Sequence, residues 1–167
     1  MTTDSNIILN TIQINQKIKR IAYEIYESNS NEKEVIIAGI VGNGYIFAEK
    51  LVKTLEEISS LKVILCQVDI NKIKPLELIS TSLNVLEYQN KSLVLVDDVL
   101  NSGTTLIYGV KHFLDVPLKS FKTAVLVNRN HKKYPVKADF KGVSLSTSIK
   151  EHIQVDFSKN ESKAYLV

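Results

Sequence analysis

The sequence predicts an α/β fold with a mainly parallel, twisted sheet, helices on both faces and a small C-terminal β hood. Short apolar runs rich in β-branched residues recur along the chain, and they are typical of strands buried on both faces. These runs occupy 35–41, 61–70, 93–96 and 123–127. Helical patterns separate several of them, and strands that alternate with helices form parallel sheets with right-handed crossovers.

The first segment predicts an edge strand at 7–9 and an amphipathic helix over about 12–28, capped by Asn10 or Thr11. Apolar residues recur there at helical spacing, at positions 14, 18, 21, 22 and 25. The basic residues at 17, 19 and 20 lie mostly off this stripe. They indicate either a solvated helix face or an RNA-binding face.

The second unit is a strand, a glycine-containing turn and a helix. The strand at 35–41 ends at Gly42-Asn43-Gly44, where a tight turn with positive φ is readily adopted. A helical stripe follows and reaches Ile58. The strand at 61–70 contains Cys66, the only cysteine, which we expect to be a reduced core residue. Residues 71–90 are weakly periodic and predict only a short helix or strand.

The central stretch, residues 92–106, joins a buried strand to an acidic pair, a polar loop and a helix. Asp97 and Asp98 follow the strand at 93–96, and Leu106 begins the next apolar helical stripe. The loop between them is small and rich in hydroxyl groups: Asn101, Ser102, Gly103, Thr104 and Thr105.

This order of groups predicts a ligand with a phosphate beside a vicinal diol, as in ribose 5-phosphate. The free N–H groups and the dipole at the start of a helix bind anions. Gly103 allows close approach of the backbone, and neighbouring hydroxyls can donate hydrogen bonds. Adjacent carboxylates can accept hydrogen bonds from sugar hydroxyls. The alternative is an ordinary turn, in which the acidic pair is solvated and Ser-Gly-Thr caps the helix.

The last third predicts a buried strand at 123–127, followed by a polar, basic loop at 128–135. Further strands are expected at 138–143, 153–157 and 164–167, and the last two supply the hood. Ligands of such sheets bind beyond the carboxyl ends of the strands. The loops 41–44, 97–105 and 128–133 each follow a strand, so we expect them to converge on one crevice.

At the central stretch the sequence resembles the ribose-phosphate signature of type I phosphoribosyltransferases. Four apolar residues precede Asp97-Asp98, and two apolar positions, Val99 and Leu100, separate this pair from the Asn-Ser-Gly-Thr-Thr loop. Residues 18–24, 42–44 and 127–140 are similar to the pyrimidine-operon attenuator branch. The pattern formed by Arg129, His131 and Pro135 is typical of this branch. Its members resemble uracil phosphoribosyltransferases, and some also bind RNA.

The resemblance implies Mg²⁺-dependent transfer of ribose 5-phosphate from phosphoribosyl pyrophosphate to a nucleobase, with a pyrimidine such as uracil favoured over a purine. It implies that Asp97 and Asp98 are catalytic and hold Mg²⁺ indirectly, together with the ligand. The substrate-binding residues that it implies are Val41, Gly42, Asn43, Gly44, Asn101, Ser102, Gly103, Thr104, Thr105, Arg129, His131 and Lys132.

Three departures from the family pattern favour an alternative function. Asn43 stands where a basic residue usually precedes the second glycine, and Asn128 and Asn130 replace an Asp and a Gly. A shortened segment with Ile73-Lys74-Pro75 replaces a longer loop with a Tyr-Arg or similar basic pair. The alternative is a catalytically weak regulator that binds nucleotide or phosphoribosyl pyrophosphate, and perhaps RNA. A plain α/β domain without the site is a third reading.

The totals are those of an ordinary globular chain, which we expect to form a single phosphoribosyltransferase-like domain over 1–167. The 167 residues are 44% hydrophobic and 23% charged, with a net charge of +3, which neither demands nor excludes nucleic acid. Residues 1–6 lack a signal-peptide pattern, and no apolar run approaches about 18 residues. We therefore expect a cytoplasmic protein without a membrane partner. The resemblance implies a homodimer or higher homo-oligomer.

Overall fold

The computed structural model describes residues 6–167. The residues 1–5, which belong to the segment tested for a signal peptide, lie outside the described part. The strands are β1 (Ile7–Leu9), β2 (Glu34–Ile40), β3 (Lys62–Asp69), β4 (Ser80–Thr81), β5 (Ser92–Leu100), β6 (Ser120–Arg129), β7 (Phe140–Leu145), β8 (Ile153–Phe157) and β9 (Ser162–Leu166). The helices are α1 (Thr11–Ser28), α2 (Asn43–Ile58), α3 (Val85–Tyr88) and α4 (Thr104–Phe113).

A six-stranded sheet forms the centre of the fold, with the order β4-β3-β2-β5-β6-β7. All neighbours from β3 to β7 are parallel, and only the short β4 runs antiparallel, beside β3. The predicted α/β class is confirmed. Because β5 lies between β2 and β6, the carboxyl ends of these three strands are adjacent at one edge of the sheet.

Two hydrophobic clusters cover opposite faces of this sheet. One face packs against α1 and α2, with Ile21 and Phe47 fully buried, while the other packs against α4, with Phe113 fully buried. Successive residues of β2 alternate between the two clusters: Val35 and Ile37 belong to the first, and Ile36 belongs to the second. Since side chains alternate along a strand, burial on both faces produces the continuous apolar runs seen in the sequence.

The hood is a separate three-stranded antiparallel sheet with the order β1-β9-β8. It therefore includes the predicted edge strand at 7–9 as well as the two C-terminal strands. Thr11 helps to hold the two ends of the chain together, because its hydroxyl donates to the Ser162 carbonyl (2.9 Å) and accepts from the Ser162 amide (3.0 Å).

Three element boundaries differ from the sequence prediction. β5 continues through the acidic pair to Leu100, because its ladder with β6 extends to the pairs Val99–Val127 and Leu100–Asn128. β6 likewise continues to Arg129, two residues into the predicted loop. The predicted turn at 42–44 is mostly helical, since α2 begins at Asn43. The weakly periodic segment 71–90 contains both a short strand, β4, and a short helix, α3.

Buried polar side chains connect the end of α1 to the beginning of β5. Asn29 donates to the Ile25 carbonyl (2.8 Å) and accepts from the Ser92 hydroxyl (2.5 Å), and the side chains of Asn29 and Ser92 are both buried. Arg20 makes a second connection from α1, because its guanidinium donates to the carbonyls of Lys141 and Gly142 (2.8 Å each) in β7. These contacts fix α1 against the sheet.

We expect Asn29→Ala to lower the free energy of unfolding by about 1 to 3 kcal/mol, because it leaves the buried Ser92 hydroxyl without its partner and removes one of two hydrogen bonds to the Ile25 carbonyl. Denaturant unfolding measures the change. Asn31→Ala is the matched control at an exposed position nearby, and we expect it to stay within about 0.5 kcal/mol of wild type. Equal effects of the two substitutions would contradict the assignment.

Candidate active site

The acidic pair lies at the carboxyl edge of the sheet, within the last part of β5. Asp97 is 4% exposed, whereas Asp98 is only half-buried. The Asp98 amide donates to Asp97 Oδ1 at 2.9 Å, which holds the buried carboxyl group in place. The two side chains therefore differ in environment, with one enclosed by protein and the other partly open to solvent.

The Asp97 carboxyl group has a strongly perturbed pKa. Burial raises this pKa from its ordinary value of 3.8 to about 8, and the neighbouring Asp98 carboxylate adds to the increase. The Lys72 ammonium, 3.6 Å from Asp97 Oδ1, acts in the opposite direction. A carboxyl group with such a strongly perturbed pKa is typical of functional sites.

The loop between β5 and α4 is shaped to bind an anion at the start of a helix. Gly103 has φ 85°, a left-handed conformation, and precedes the first residue of α4. A Cβ added there would lie 2.6 Å from Val136 Cγ1, so the position is also sterically closed. The hydroxyls of Ser102 and Thr104 are 2.8 Å apart. The first N–H groups of α4 lack intrahelical partners and lie beside these hydroxyls.

The loop at 41–44 reaches the acidic pair from the neighbouring strand. Gly42 has φ 101° and precedes α2, whose first N–H groups also lack intrahelical partners. Gly44 lies directly against the buried carboxyl group, because an added Cβ would be 2.7 Å from Asp97 Oδ1. The side-chain amide of Asn43 donates from Nδ2 to the Val155 carbonyl in the hood (2.7 Å). Its side chain is therefore used to connect α2 to β8.

A cavity of about 210 Å³ joins most of these groups. It is lined by Asp97, Asp98 and the whole of the 101–105 loop, and also by Lys72 and the hood residue Ile153. Val41 to Gly44 are absent from this lining, but the loop that they form adjoins it through the contact of Gly44 with Asp97. The predicted convergence of the first two loops is therefore seen in the structure.

The third predicted loop, 128–133, does not line the cavity but contacts the 101–105 loop. The amides of Lys133 and Tyr134 both donate to the Ser102 carbonyl, at 2.7 and 3.2 Å. Arg129 is 5% exposed and donates to the Thr147 hydroxyl (2.6 Å) and the Ser148 carbonyl (2.8 Å). These contacts fix the loop against the 101–105 loop and the 147–148 segment.

Neither Arg129, His131 nor Lys132 is among the residues that line the cavity. His131 Nε2 is 2.6 Å from the Thr147 carbonyl, and Lys132 is exposed. Arg129 reaches the site only through a long contact with Asn101 Oδ1 at 3.5 Å. The resemblance implies that these three residues bind substrate, but the structure places them at the periphery of the site.

A family model described as a phosphoribosyl transferase domain matches residues 4–160. The chain belongs to this family. It is similar to the bifunctional protein PyrR of Geobacter sulfurreducens, with 33% identity over 162 residues that cover 92% of each chain. It is also similar to the bifunctional protein PyrR of Streptococcus thermophilus, with 30% identity over 161 residues covering 93% of this chain and 92% of the relative.

Solved phosphoribosyltransferases have the same fold. The hypoxanthine-guanine phosphoribosyltransferase of Bacillus anthracis matches with a TM-score of 0.77 at 18% identity, covering 97% of this chain and 98% of that one. The hypoxanthine phosphoribosyltransferase of Trypanosoma cruzi matches with a TM-score of 0.79 at 15% identity, covering 97% and 94%. At these identities the structures establish the fold alone. The family model and the PyrR relatives confirm the predicted superfamily and branch.

Lys72 lines the cavity of this phosphoribosyltransferase domain, although no sequence pattern indicates it as a site residue. The residue follows the end of β3, and β3 is next to β2 in the sheet. Its position after a strand could have indicated a site residue. Because the segment 71–90 is only weakly periodic, however, the sequence does not single out Lys72 within it. Lys74, which stands in place of the family's basic pair, is instead 3.7 Å from Glu77 and lies outside the cavity lining.

Mg²⁺, which the family implies, fits the oxygen donors at this edge. Mg²⁺ keeps several waters and commonly uses one or two carboxylates together with substrate phosphates. Asp97 and Asp98 could provide such carboxylates, and a cation would offset the burial and the repulsion by Asp98 that raise the Asp97 pKa. The described residues contain no cluster of three or more His, Cys, Asp or Glu side chains suited to a metal ion. The ligand itself would therefore supply further oxygens.

Within residues 6–167, no helix has the length and apolar character needed to cross a membrane.

The thiol of Cys66 is fully buried, and this burial raises its pKa.

We expect Asp97→Asn to become more stable relative to wild type as the pH rises from 5 to 8. Because folding raises the Asp97 pKa from 3.8 to about 8, the folded wild type binds more protons than the unfolded chain in this window. The free energy of unfolding of wild type therefore falls with pH, by at most about 1.4 kcal/mol per pH unit, and the variant lacks this dependence. Denaturant unfolding at several pH values measures it, and parallel curves would contradict it.

Proposed function

We propose that the chain transfers ribose 5-phosphate from phosphoribosyl pyrophosphate to a ring nitrogen of a nucleobase and releases pyrophosphate, in a Mg²⁺-dependent reaction. The observation that carries this proposal is that the acidic pair and the 101–105 loop line one cavity. A carboxylate pair and a helix-start anion site in one cavity suit the diol and the 5-phosphate of one sugar. A pyrimidine such as uracil is the preferred base, by similarity to the PyrR relatives.

In the proposed complex, the two anionic ends of the ligand bind to two helix starts. The 5-phosphate accepts hydrogen bonds from the 101–105 loop and the first amides of α4, and the pyrophosphate accepts them from the backbone of 41–44 at the start of α2. Asp97 and Asp98 accept from the 2- and 3-hydroxyls. Gly42 leaves room for the ligand beside the backbone, because nothing lies within 4 Å of a Cβ added there, whereas Gly44 and Gly103 leave room for Asp97 and Val136.

The reaction breaks the bond from C1 of the sugar to the pyrophosphate oxygen and forms a bond from C1 to the base nitrogen. Positive charge develops on the sugar ring in between, and the carboxylates of Asp97 and Asp98 stabilise it. When bound, Mg²⁺ withdraws charge from the leaving pyrophosphate. The more exposed Asp98 accepts the proton that the base nitrogen loses. The remaining contribution of the protein is positioning.

Arg129, His131 and Lys132 contribute on the base side in this proposal. Arg129 and His131 hold the 147–148 segment, which precedes the hood strand β8, and Ile153 of β8 lines the cavity. They would position the hood over the base. The exposed Lys132 remains available for direct contact with a ligand. A cytoplasmic homodimer or higher homo-oligomer is the expected form.

Pure protein with Mg²⁺, phosphoribosyl pyrophosphate and uracil should form uridine 5′-monophosphate and pyrophosphate. We expect Asp98→Asn to lower kcat by about 100-fold or more, because it removes a proton acceptor and a charge. Asp97→Asn/Asp98→Asn should also abolish binding of phosphoribosyl pyrophosphate with Mg²⁺ in calorimetric titration. Asp69→Asn, at an exposed carboxylate ending β3, is the control. Folded wild type that converts no base of a panel with uracil, hypoxanthine and guanine would reject the proposed activity.

The second candidate function is a catalytically weak regulator that binds nucleotide or phosphoribosyl pyrophosphate, and RNA. Two observations favour it. The pyrophosphate loop lacks a basic side chain, and the amide of Asn43 is engaged with the hood. A groove of about 410 Å³ between α1 and α2 is lined by several lysines, at positions 19, 50 and 53. Arg20, in contrast, is committed to β7 and to Glu24.

If the α1–α2 groove binds RNA, log K should fall steeply with log salt, because each phosphate contact releases counterions. Lys19→Ala/Lys53→Ala should then reduce the magnitude of this slope by about 1 to 2. Gel-shift or anisotropy titrations at several salt concentrations measure it. Lys122→Ala, at a lysine of β6 outside this groove, is the control. A flat salt dependence would exclude this RNA-binding function.

A further inference from the structure

One cationic side chain, Lys72, is found among the described residues that line the cavity. Its side chain is 48% exposed, so the ammonium group can move, and it lies 3.6 Å from Asp97 Oδ1. Asp97, in contrast, is enclosed by the sheet and α2. This pair combines a fixed acceptor with a flexible cation on a four-carbon stem.

The order of the strands places Lys72 on the pyrophosphate side of the site. β3, β2 and β5 are consecutive in the sheet, and their carboxyl ends lead to Lys72, to the 41–44 loop and to the 101–105 loop. The Val41 amide donates to the Val68 carbonyl (2.8 Å), which keeps the 41–44 loop beside the end of β3. Gly44 and Lys72 also approach the same oxygen, Asp97 Oδ1. The ammonium is therefore close to the start of α2.

The other groups that could supply positive charge or polar donors here are engaged elsewhere. The side-chain amide of Asn43 donates to the Val155 carbonyl, and the Lys74 ammonium is 3.7 Å from Glu77. The buried Arg129 guanidinium is bonded to the 147–148 segment on the far side of the 101–105 loop. The 41–44 loop by itself offers only backbone N–H groups.

We propose that Lys72 binds the diphosphate group of phosphoribosyl pyrophosphate, and so makes the site prefer a ligand with a diphosphate over a nucleoside 5′-monophosphate. This inference rests on the proposed function, since it assigns a residue to one end of the same ligand. The ammonium leaves Asp97 and contacts a diphosphate oxygen when the ligand binds. Asp97 is then free for the sugar hydroxyls, and the cation replaces the basic side chain absent at Asn43.

The test is calorimetric titration of two ligands into wild type, Lys72→Met and Lys72→Arg in the presence of Mg²⁺. Phosphoribosyl pyrophosphate carries the diphosphate, while uridine 5′-monophosphate has the same phosphate and diol without it. We expect Lys72→Met to weaken phosphoribosyl pyrophosphate binding by about tenfold to a hundredfold. Binding of uridine 5′-monophosphate should change less than about threefold, and Lys72→Arg should retain most of the affinity for phosphoribosyl pyrophosphate.

Lys74→Met is the matched control, two residues away and outside the cavity lining, and thermal unfolding verifies that each variant is folded. Unchanged affinity of Lys72→Met for phosphoribosyl pyrophosphate would overturn the inference while leaving the proposed function intact. So would tighter binding, which would make Lys72 a competing counter-ion, or equal losses with Lys74→Met or with both ligands. Wild type that binds neither ligand would instead overturn the proposed function, and the inference with it.

Discussion

The burial of the Asp97 carboxyl group is the constraint on which the rest of the site depends. Its oxygen accepts from the Asp98 amide and faces both Gly44 and Lys72. A side chain at position 44 would displace the carboxyl group, so a glycine is required where α2 begins. Charging the group in this place is unfavourable, as its raised pKa indicates. Such destabilisation of the ligand-free fold is common where a site is complementary to a ligand rather than to water.

The shape of the 101–105 loop depends on contacts with residues that do not line the cavity. The Ser102 carbonyl accepts two backbone amides from the 128–135 loop, and Val136 packs against Gly103. That loop is in turn fixed by Arg129 and His131 to the segment before β8. Side chains that the sequence suggests as ligand contacts therefore act on the shape of the site. Rigid support of this kind keeps a binding loop in its working geometry without help from the ligand.

The sequence predicted the parts of this molecule that depend on local patterns. Buried strands give continuous apolar runs, and the Ser-Gly-Thr-Thr loop needs only its own backbone and the helix after it, so β5, the loop and α4 were all placed. Partners across the fold are different. The Asn43–Val155 bond, the Arg129–Thr147 bond and the pairing of β1 with β9 join residues distant in sequence. No periodicity in the sequence indicates these long-range contacts. Lys72 was missed for the same reason, since only the order β3-β2-β5 brings it to Asp97.

The charged side chains that line the cavity connect three events, namely binding of the ligand, binding of a cation and movement of Lys72. The lining holds two carboxyl groups, of which Asp97 has a pKa raised to about 8, and one ammonium, so it offers no net positive charge to a ligand with phosphate groups at both ends. Helix-start amides attract anions, but each offers only part of a charge. A divalent cation that arrives with the ligand would reverse the balance beside Asp97 and Asp98, and the ammonium displaced from Asp97 would then face the diphosphate. Binding of the ligand and release of Lys72 from Asp97 are in this view one coupled exchange of counter-ions.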